Sequence, residues 1–146
     1  MATTLTGFVN FIRDQMGIPD SALPNTSPII EQAYEIALAI VNPSLAVASQ
    51  LIYDLSVYNL AGDNVVTFAT DVEGGTYFFD LRQQLAIYVF VPGVVTSSGD
   101  GGTSSSIANP DFMKEFTMAN LQNLKTPWGR QYLAYAQAYG GLWGLT

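Results

Sequence analysis

Two groups of carboxylates lie close enough along the chain to act together: Asp71, Glu73 and Asp80, and the pair Asp111 and Glu115, one helical turn apart. Neighbouring carboxylates can divide general acid and base work, or hold a divalent cation. The second pair falls at a helix start, where acids are stabilised by unpaired backbone N–H groups, and neither spacing specifies a metal. The plainer reading of both is solvated helix starts and loops. Glycines suggest a phosphate loop at two places. No Lys follows Gly74-Gly75, and Gly99-Asp100-Gly101-Gly102 sets a carboxylate where a phosphate would be repelled. Neither fits the dinucleotide fingerprint or the Walker pattern. Ser and Thr are abundant, but with no His and no suitably placed Lys none has an evident base. The absence of Cys removes thiol nucleophiles, disulfides and cysteine metal sites together. The residues therefore point away from an enzyme and imply no cofactor and no metal.

The charge balance excludes further classes. Five basic residues, Arg13, Arg82, Lys114, Lys125 and Arg130, are scattered among twelve acidic ones, for a net charge of −7. A chain that grips nucleic acid or an anionic membrane clusters its cations. Only 12% of residues are charged and 49% are hydrophobic, against about 25% charged in an average soluble domain. Disorder needs the opposite composition. With so few charges, much of the surface must be apolar or uncharged polar, as in a protein that packs against partners. The 146 residues suit one domain. No basic, apolar leader is visible in residues 1–24, and the uncharged stretch from Ile36 to Tyr53 is broken by Asn42-Pro43. That stretch reads as two helices meeting, not as a membrane span, and the chain is expected to be made in the cytoplasm.

The elements that must position these residues are mostly helical. Leu5, Phe8, Ile12 and Met16 recur at helical spacing over residues 5–16. Ser27-Pro28 predicts a cap with Pro at the first helical position, followed by the apolar face Ile29, Ala33, Ile36, Ala37 and Ile40. Asn42-Pro43 repeats that signal and predicts a third helix ending at Ala61-Gly62, with Gly62 as its left-handed cap. Residues 65–72 read as a short extended segment. A fourth helix is predicted over about 76–90, where LAIYVFVPGVV is also acceptable strand sequence. Residues 96–106, TSSGDGGTSSS, have the composition of a flexible loop. Two more helices are predicted near 111–123 and 127–139, the last opened by Thr126-Pro127 and closed by Gly140-Gly141. The expected fold class is all-α: a mainly helical bundle with long loops, an extended C-terminal arm and at most a minor β element. Its organisation is a helical core over 1–95, a flexible loop over 96–109, and C-terminal helices and arm over 110–146, one domain overall.

The last predicted helix carries the aromatic stripe Trp128, Tyr132, Tyr135 and Tyr139 on one face. It can pack into the core, or form a partner surface rich in the residue types that dominate interfaces. Beyond it, Leu142, Trp143, Gly144 and Leu145 form an apolar tail that must fold back on its own domain or dock onto a neighbour. The candidate partner-contact residues are Trp128, Arg130, Tyr132, Leu142, Trp143 and Leu145.

The stretch TYFFDLRQQLAIYVFVPGVV (76–95), the Ser/Gly loop, NPDF (109–112) and NLQNLKTPWGRQYLAYAQAYGGLWGLT (120–146) resemble the head-to-tail adaptor, or head-completion, proteins of tailed bacteriophages. Roughly half the chain carries the resemblance, and LKTPWGRQYL with YGGLWGL is its strongest piece; the front helices match only as a pattern. The resemblance implies a structural virion protein, made in the host cytoplasm, with a helical core and an extended C-terminal arm. It implies a ring of about twelve copies beneath the portal protein that extends the DNA channel and meets a tail or nozzle protein. DNA then passes without specific binding: about twelve subunits at −7 give on the order of −80 around a channel, which repels phosphate. Other readings are another neck or tail-completion virion protein, or a bacterial helical binding domain.

Overall fold

The computed structural model describes residues 2–87, 94–98, 105–108 and 123–139. Six helices occur among them: α1 (Leu5–Asp14), α2 (Pro28–Ile40), α3 (Leu45–Ala48), α4 (Gln50–Phe68), α5 (Tyr77–Gln84) and α6 (Pro127–Ala138). One antiparallel hairpin of β1 (Val94–Ser98) and β2 (Ser105–Ala108) accompanies them. The fold is all-α with this single minor β element.

The first helix follows from its apolar spacing. Thr4 caps it, its hydroxyl accepting from the Gly7 N–H at 3.0 Å, and Phe8, Phe11 and Ile12 point into the core. The loop that follows is shaped by Arg13. Its guanidinium donates to the carbonyls of Ile18 at 2.8 Å and Leu23 at 2.6 Å, to Asn25, and to Asp20, with which it also forms a 3.3 Å ion pair. Pro28 opens α2 as its composition predicts, although the Ser27 side chain makes no capping bond.

The third predicted helix is two. Asn42 Oδ1 accepts from the Ser44 N–H at 2.9 Å, an Asx turn that delays the helix to Leu45. Ser49 then breaks it: its backbone is extended at φ −160° and ψ 110°, and its hydroxyl caps α4 by accepting from the Ile52 N–H. Nor does α4 stop at Gly62. It continues through Phe68, so Val65 to Phe68 are helical and not extended. Gly62 serves close approach instead of capping, since a Cβ there would lie 2.9 Å from Met16 Sδ, at the end of α1. A glycine lets the end of α1 press directly onto the backbone of α4.

Helix α4 is the axis of the molecule. From Ser56 to Val66 nearly every residue is buried, round the whole circumference, because α1, α2, α3, α5 and α6 all pack on it. Its buried polar side chains mostly turn back to the helix's own carbonyls: Ser56 to Ile52 at 2.6 Å, and Asn59 to Leu55 at 2.8 Å. Phe8 lies against Tyr34 and Tyr58, with ring centroids 6.1 and 6.0 Å apart, joining α1 to both α2 and α4. One cluster of buried residues runs from Phe8 on α1 to Ala136 on α6.

The predicted fourth helix is shorter than expected, ending at Gln84; Ala86 takes the left-handed conformation with φ 53°, and Tyr88 and Val89 lie outside the described residues. Asp71 caps α5 from a distance, accepting from the N–H groups of Phe78 at 2.6 Å and Phe79 at 3.1 Å. Arg82 closes the other side, donating to the carbonyls of Val66 and Ala69 at the end of α4 and lying 5.7 Å from the Phe78 ring. The Ser- and Gly-rich stretch is not wholly a loop. Its flanks pair as β1 and β2, with Val94 opposite Ala108 and an irregularity between Val95 and Ser97. Backbone pairing in a hairpin does not require large side chains, so composition alone hid it. The predicted boundary at residue 95 falls inside β1. The predicted helix near 111–123 lies, but for Asn123, outside the described residues, as do Gly140-Gly141 and the tail.

Helix α6 sits close to α4 because Gly129 has no side chain. A Cβ at that position would stand 2.0 Å from the Asn123 carbonyl oxygen and 2.8 Å from Asp63 Oδ1. Since one obstacle is backbone, relief needs a backbone shift. Gly129→Ala is expected to cost about 2–3 kcal/mol, seen as a lower urea midpoint, whereas Gly17→Asn, at φ 70° with open space around it, should change stability by less than about 1 kcal/mol.

Candidate interaction surfaces and a buried carboxylate

A hydrogen bond between an ionisable and a polar side chain in the deep core joins α4 to α6. Thr126 precedes Pro127 and is fully buried. Its hydroxyl donates to Asp63 Oδ1 at 2.5 Å and accepts from the Gly129 N–H at 2.9 Å. One O–H group thus caps α6 and fastens it to the central helix. Asp63 is 4% exposed. Burial pushes its carboxyl up from the usual 3.8 to about 7, while the Thr126 hydrogen bond and the nearby Lys125 cation pull the other way. A carboxyl held near neutrality can exchange a proton, but the Thr126 hydroxyl that faces it is fully buried and engaged in capping α6. No group of three or more Asp, Glu, His or Cys that could hold a metal occurs among the described residues.

The candidate partner residues separate by depth. Tyr132 is 6% exposed and belongs to the core, where burial raises its phenol to about 12. Its proposed role at a partner surface is corrected accordingly: on the folded chain it is an interior residue. Trp128, Tyr135 and Tyr139 are partly buried against the same core. The aromatic stripe therefore faces α4, which is the packing alternative of the sequence reading. Arg130 alone of the three described candidates is exposed, with Nη1 donating to the Leu124 carbonyl at 3.0 Å. Leu142, Trp143 and Leu145 lie outside the described residues. The acids considered for chemistry do helix-start work: Asp71 caps α5, and Asp80 accepts from the Thr76 hydroxyl at 3.0 Å. Asp111 and Glu115 lie outside the described residues.

Sequence reasoning passed over two surfaces that the fold creates. Between α2 and α4 runs a groove lined by Ile29, Gln32, Ala33, Ile36, Asn64 and Phe68. The Asn64 amide nitrogen at its wall is buried and has no hydrogen-bond partner among the described residues. Between α1 and α4 lies a broader groove with Phe11, Leu51, Leu55 and Tyr58 among its apolar walls and the carboxylates of Asp14 and Asp54 at its edges. Outside both, Val47 is 91% exposed. The sequence signal for Asp63 was available: one acid inside LAGDNVV, in a helix otherwise without charge from Leu55 to Phe68.

Against models of known families, curated proteins and solved structures, the chain matches none.

The pH dependence of stability follows from Asp63. The folded chain holds its proton up to about pH 7, while the unfolded chain releases it near 3.8. Between those values the folded state binds more protons, so this group lowers stability as pH rises. Asp63→Asn keeps an acceptor for Thr126 and cannot ionise. Relative to wild type it should gain on the order of 3–5 kcal/mol between pH 4 and pH 8, measured by urea unfolding at both pH values. A difference that does not change with pH would contradict the assignment.

Proposed function

We propose that this chain is a structural virion protein of a tailed bacteriophage, a head–tail adaptor that forms a ring beneath the portal, extends the DNA channel and connects to the tail. The observation that carries the reading is the sequence block LKTPWGRQYL with YGGLWGL, which resembles such adaptors. The distribution of apolar surface supports it. Leu51 and Phe68 are each 67% exposed, and Ile40 and Phe79 are more than half exposed, on a helical body with few charges. A lone subunit gains nothing from such side chains in water, whereas a ring subunit buries them against its neighbours. Net −7 per subunit suits a channel along which DNA slides without being held. In this reading the protein is not an enzyme, carries no cofactor, and goes from the host cytoplasm into the particle, contacting itself, the portal and a tail or nozzle protein.

The direct test is mass spectrometry of purified particles, with labelling of the chain by a tag visible in electron micrographs. The label is expected at the head–tail junction; absence of the chain from particles would end the proposal. The apolar tail gives a second test. Deleting residues 142–146 is expected to leave helical content and melting temperature within a few degrees of wild type while preventing entry into particles. If the tail were core instead, losing its Trp would cost roughly 3–5 kcal/mol and the isolated subunit would melt early.

A further inference from the structure

Two groups of charges lie on opposite sides of α4. Of the four described cations, two are turned inward. Arg13 is committed to the carbonyls of Ile18 and Leu23 and to Asp20. Arg82 is committed to the carbonyls of Val66 and Ala69. The other two, Lys125 and Arg130, flank the start of α6: Arg130 is exposed with Nη1 donating to the Leu124 carbonyl, Lys125 is half-buried near Asp63, and neither forms an ion pair among the described residues. Across the molecule, the α1–α4 groove presents Asp14 and Asp54 around the apolar side chains of Phe11, Leu51 and Leu55. Asp54 takes hydrogen bonds from the Thr3 hydroxyl at 2.5 Å and the Gln50 amide at 2.8 Å, and neither acid has a cation among the described residues.

Helical geometry fixes how these two surfaces are related. Asp63, which faces α6, lies nine residues after Asp54, which faces the groove. At 3.6 residues per turn that is about two and a half turns, so the two faces point in opposite directions across α4. A two-fold dimer brings the same patch of both subunits together, and here that would set acid against acid or cation against cation. Opposite and complementary patches instead fit a head-to-tail contact, which repeats from one copy to the next and closes into a ring when its rotation allows.

We propose that the acidic, apolar α1–α4 groove of one copy receives the Lys125–Arg130 end of α6 from a second copy. The occupant is this same chain, chosen by charge complementarity: the two described cations without an ion pair, on a chain of net −7, lie on the face opposite the groove acids, which also lack one among the described residues. The contact deepens the ring reading above and rests on it for its closure. Leu51, two-thirds exposed in the single chain, supplies the apolar centre, and the ion pairs at the edge set orientation and register.

Charge reversal tests it, read by sedimentation of the full chain at low and high salt. Wild type is expected to associate with rising concentration and to dissociate with salt. Arg130→Glu alone and Asp14→Arg alone should each weaken association by about tenfold or more. The double variant Asp14→Arg/Arg130→Glu, which restores opposite charges across the contact, should recover it. Glu35→Arg, the same charge change on the exposed face of α2, should not weaken it. Circular dichroism confirms that each variant is folded. Wild type that stays monomeric at low salt and millimolar concentration overturns the proposal, as do single reversals without effect or a double variant that fails to recover. If the chain is found in particles while association ignores the reversals, this interface falls and the virion reading stands. If the reversals behave as expected in a chain absent from particles, the opposite holds.

Discussion

A helix covered on all sides must match its polar groups from within the protein or bear the cost of burying them, and α4 does both: Asn64 Nδ2 is buried without a hydrogen-bond partner among the described residues. Water cannot reach its middle turns, so each polar side chain there must find a partner within the protein or carry the cost of burial. Ser56 and Asn59 solve this locally by returning to carbonyls one turn back. Asp63 does not, because its Oδ1 acts as an acceptor and a carbonyl has no proton to give it. It needs a donor from elsewhere, and the Thr126 hydroxyl supplies one across 63 residues of chain. That O–H caps α6 where Pro127 opens it and fastens it to α4, and residue 129 is glycine because a Cβ there would meet the Asn123 carbonyl and the Asp63 carboxylate. The same burial keeps the Asp63 carboxyl protonated up to about neutral pH, so the joint between the front helices and the C-terminal block is also its most pH-sensitive point.

The sparse charge of the chain takes on a definite meaning in the fold. Both Arg13 and Arg82 act as internal braces, each satisfying carbonyls that a loop or a helix end would otherwise leave unpaired. Cations used this way do not contribute to solubility or to a basic surface. Of the described cations only Arg130 is exposed, and Lys125 is half-buried. A body of this kind has an orientation: a groove with acids on one side of its central helix and cations on the other. Under the proposed ring, low charge and exposed aliphatic side chains belong together, since association would complete the burial that folding of one chain leaves unfinished.

Much of this architecture was legible in the residues. The helical class, the starts of α2 and α6 at Pro28 and Pro127 and the buried positions Phe8 and Ile12 of α1 follow from local signals: a fixed φ at proline, a capping hydroxyl and apolar spacing near 3.6. These need only the chain and its immediate neighbours. The predicted face of α2 was rotated, since Ile36 and Ile40 are exposed while Ile30 and Tyr34 are buried with Ala33 and Ala37. The features that were misread depend on what arrives from far away. Gly62 has the composition of a helix end, but Met16 presses against it and the helix runs on. Val65 to Phe68 have strand-forming side chains, yet α2 and α5 hold them in α4. The Tyr132 ring could equally have faced a partner or the core until α4 was placed beside it. Asp63 drew no reading from the sequence, because nothing within its own helix reveals that Thr126 will lie 2.5 Å away. Local sequence determines which segments can be helices and where they can start. Only tertiary packing decides which of their faces lose water, and that loss of water is what turns a glycine into a contact point and an ordinary aspartate into the joint that holds α6 to α4.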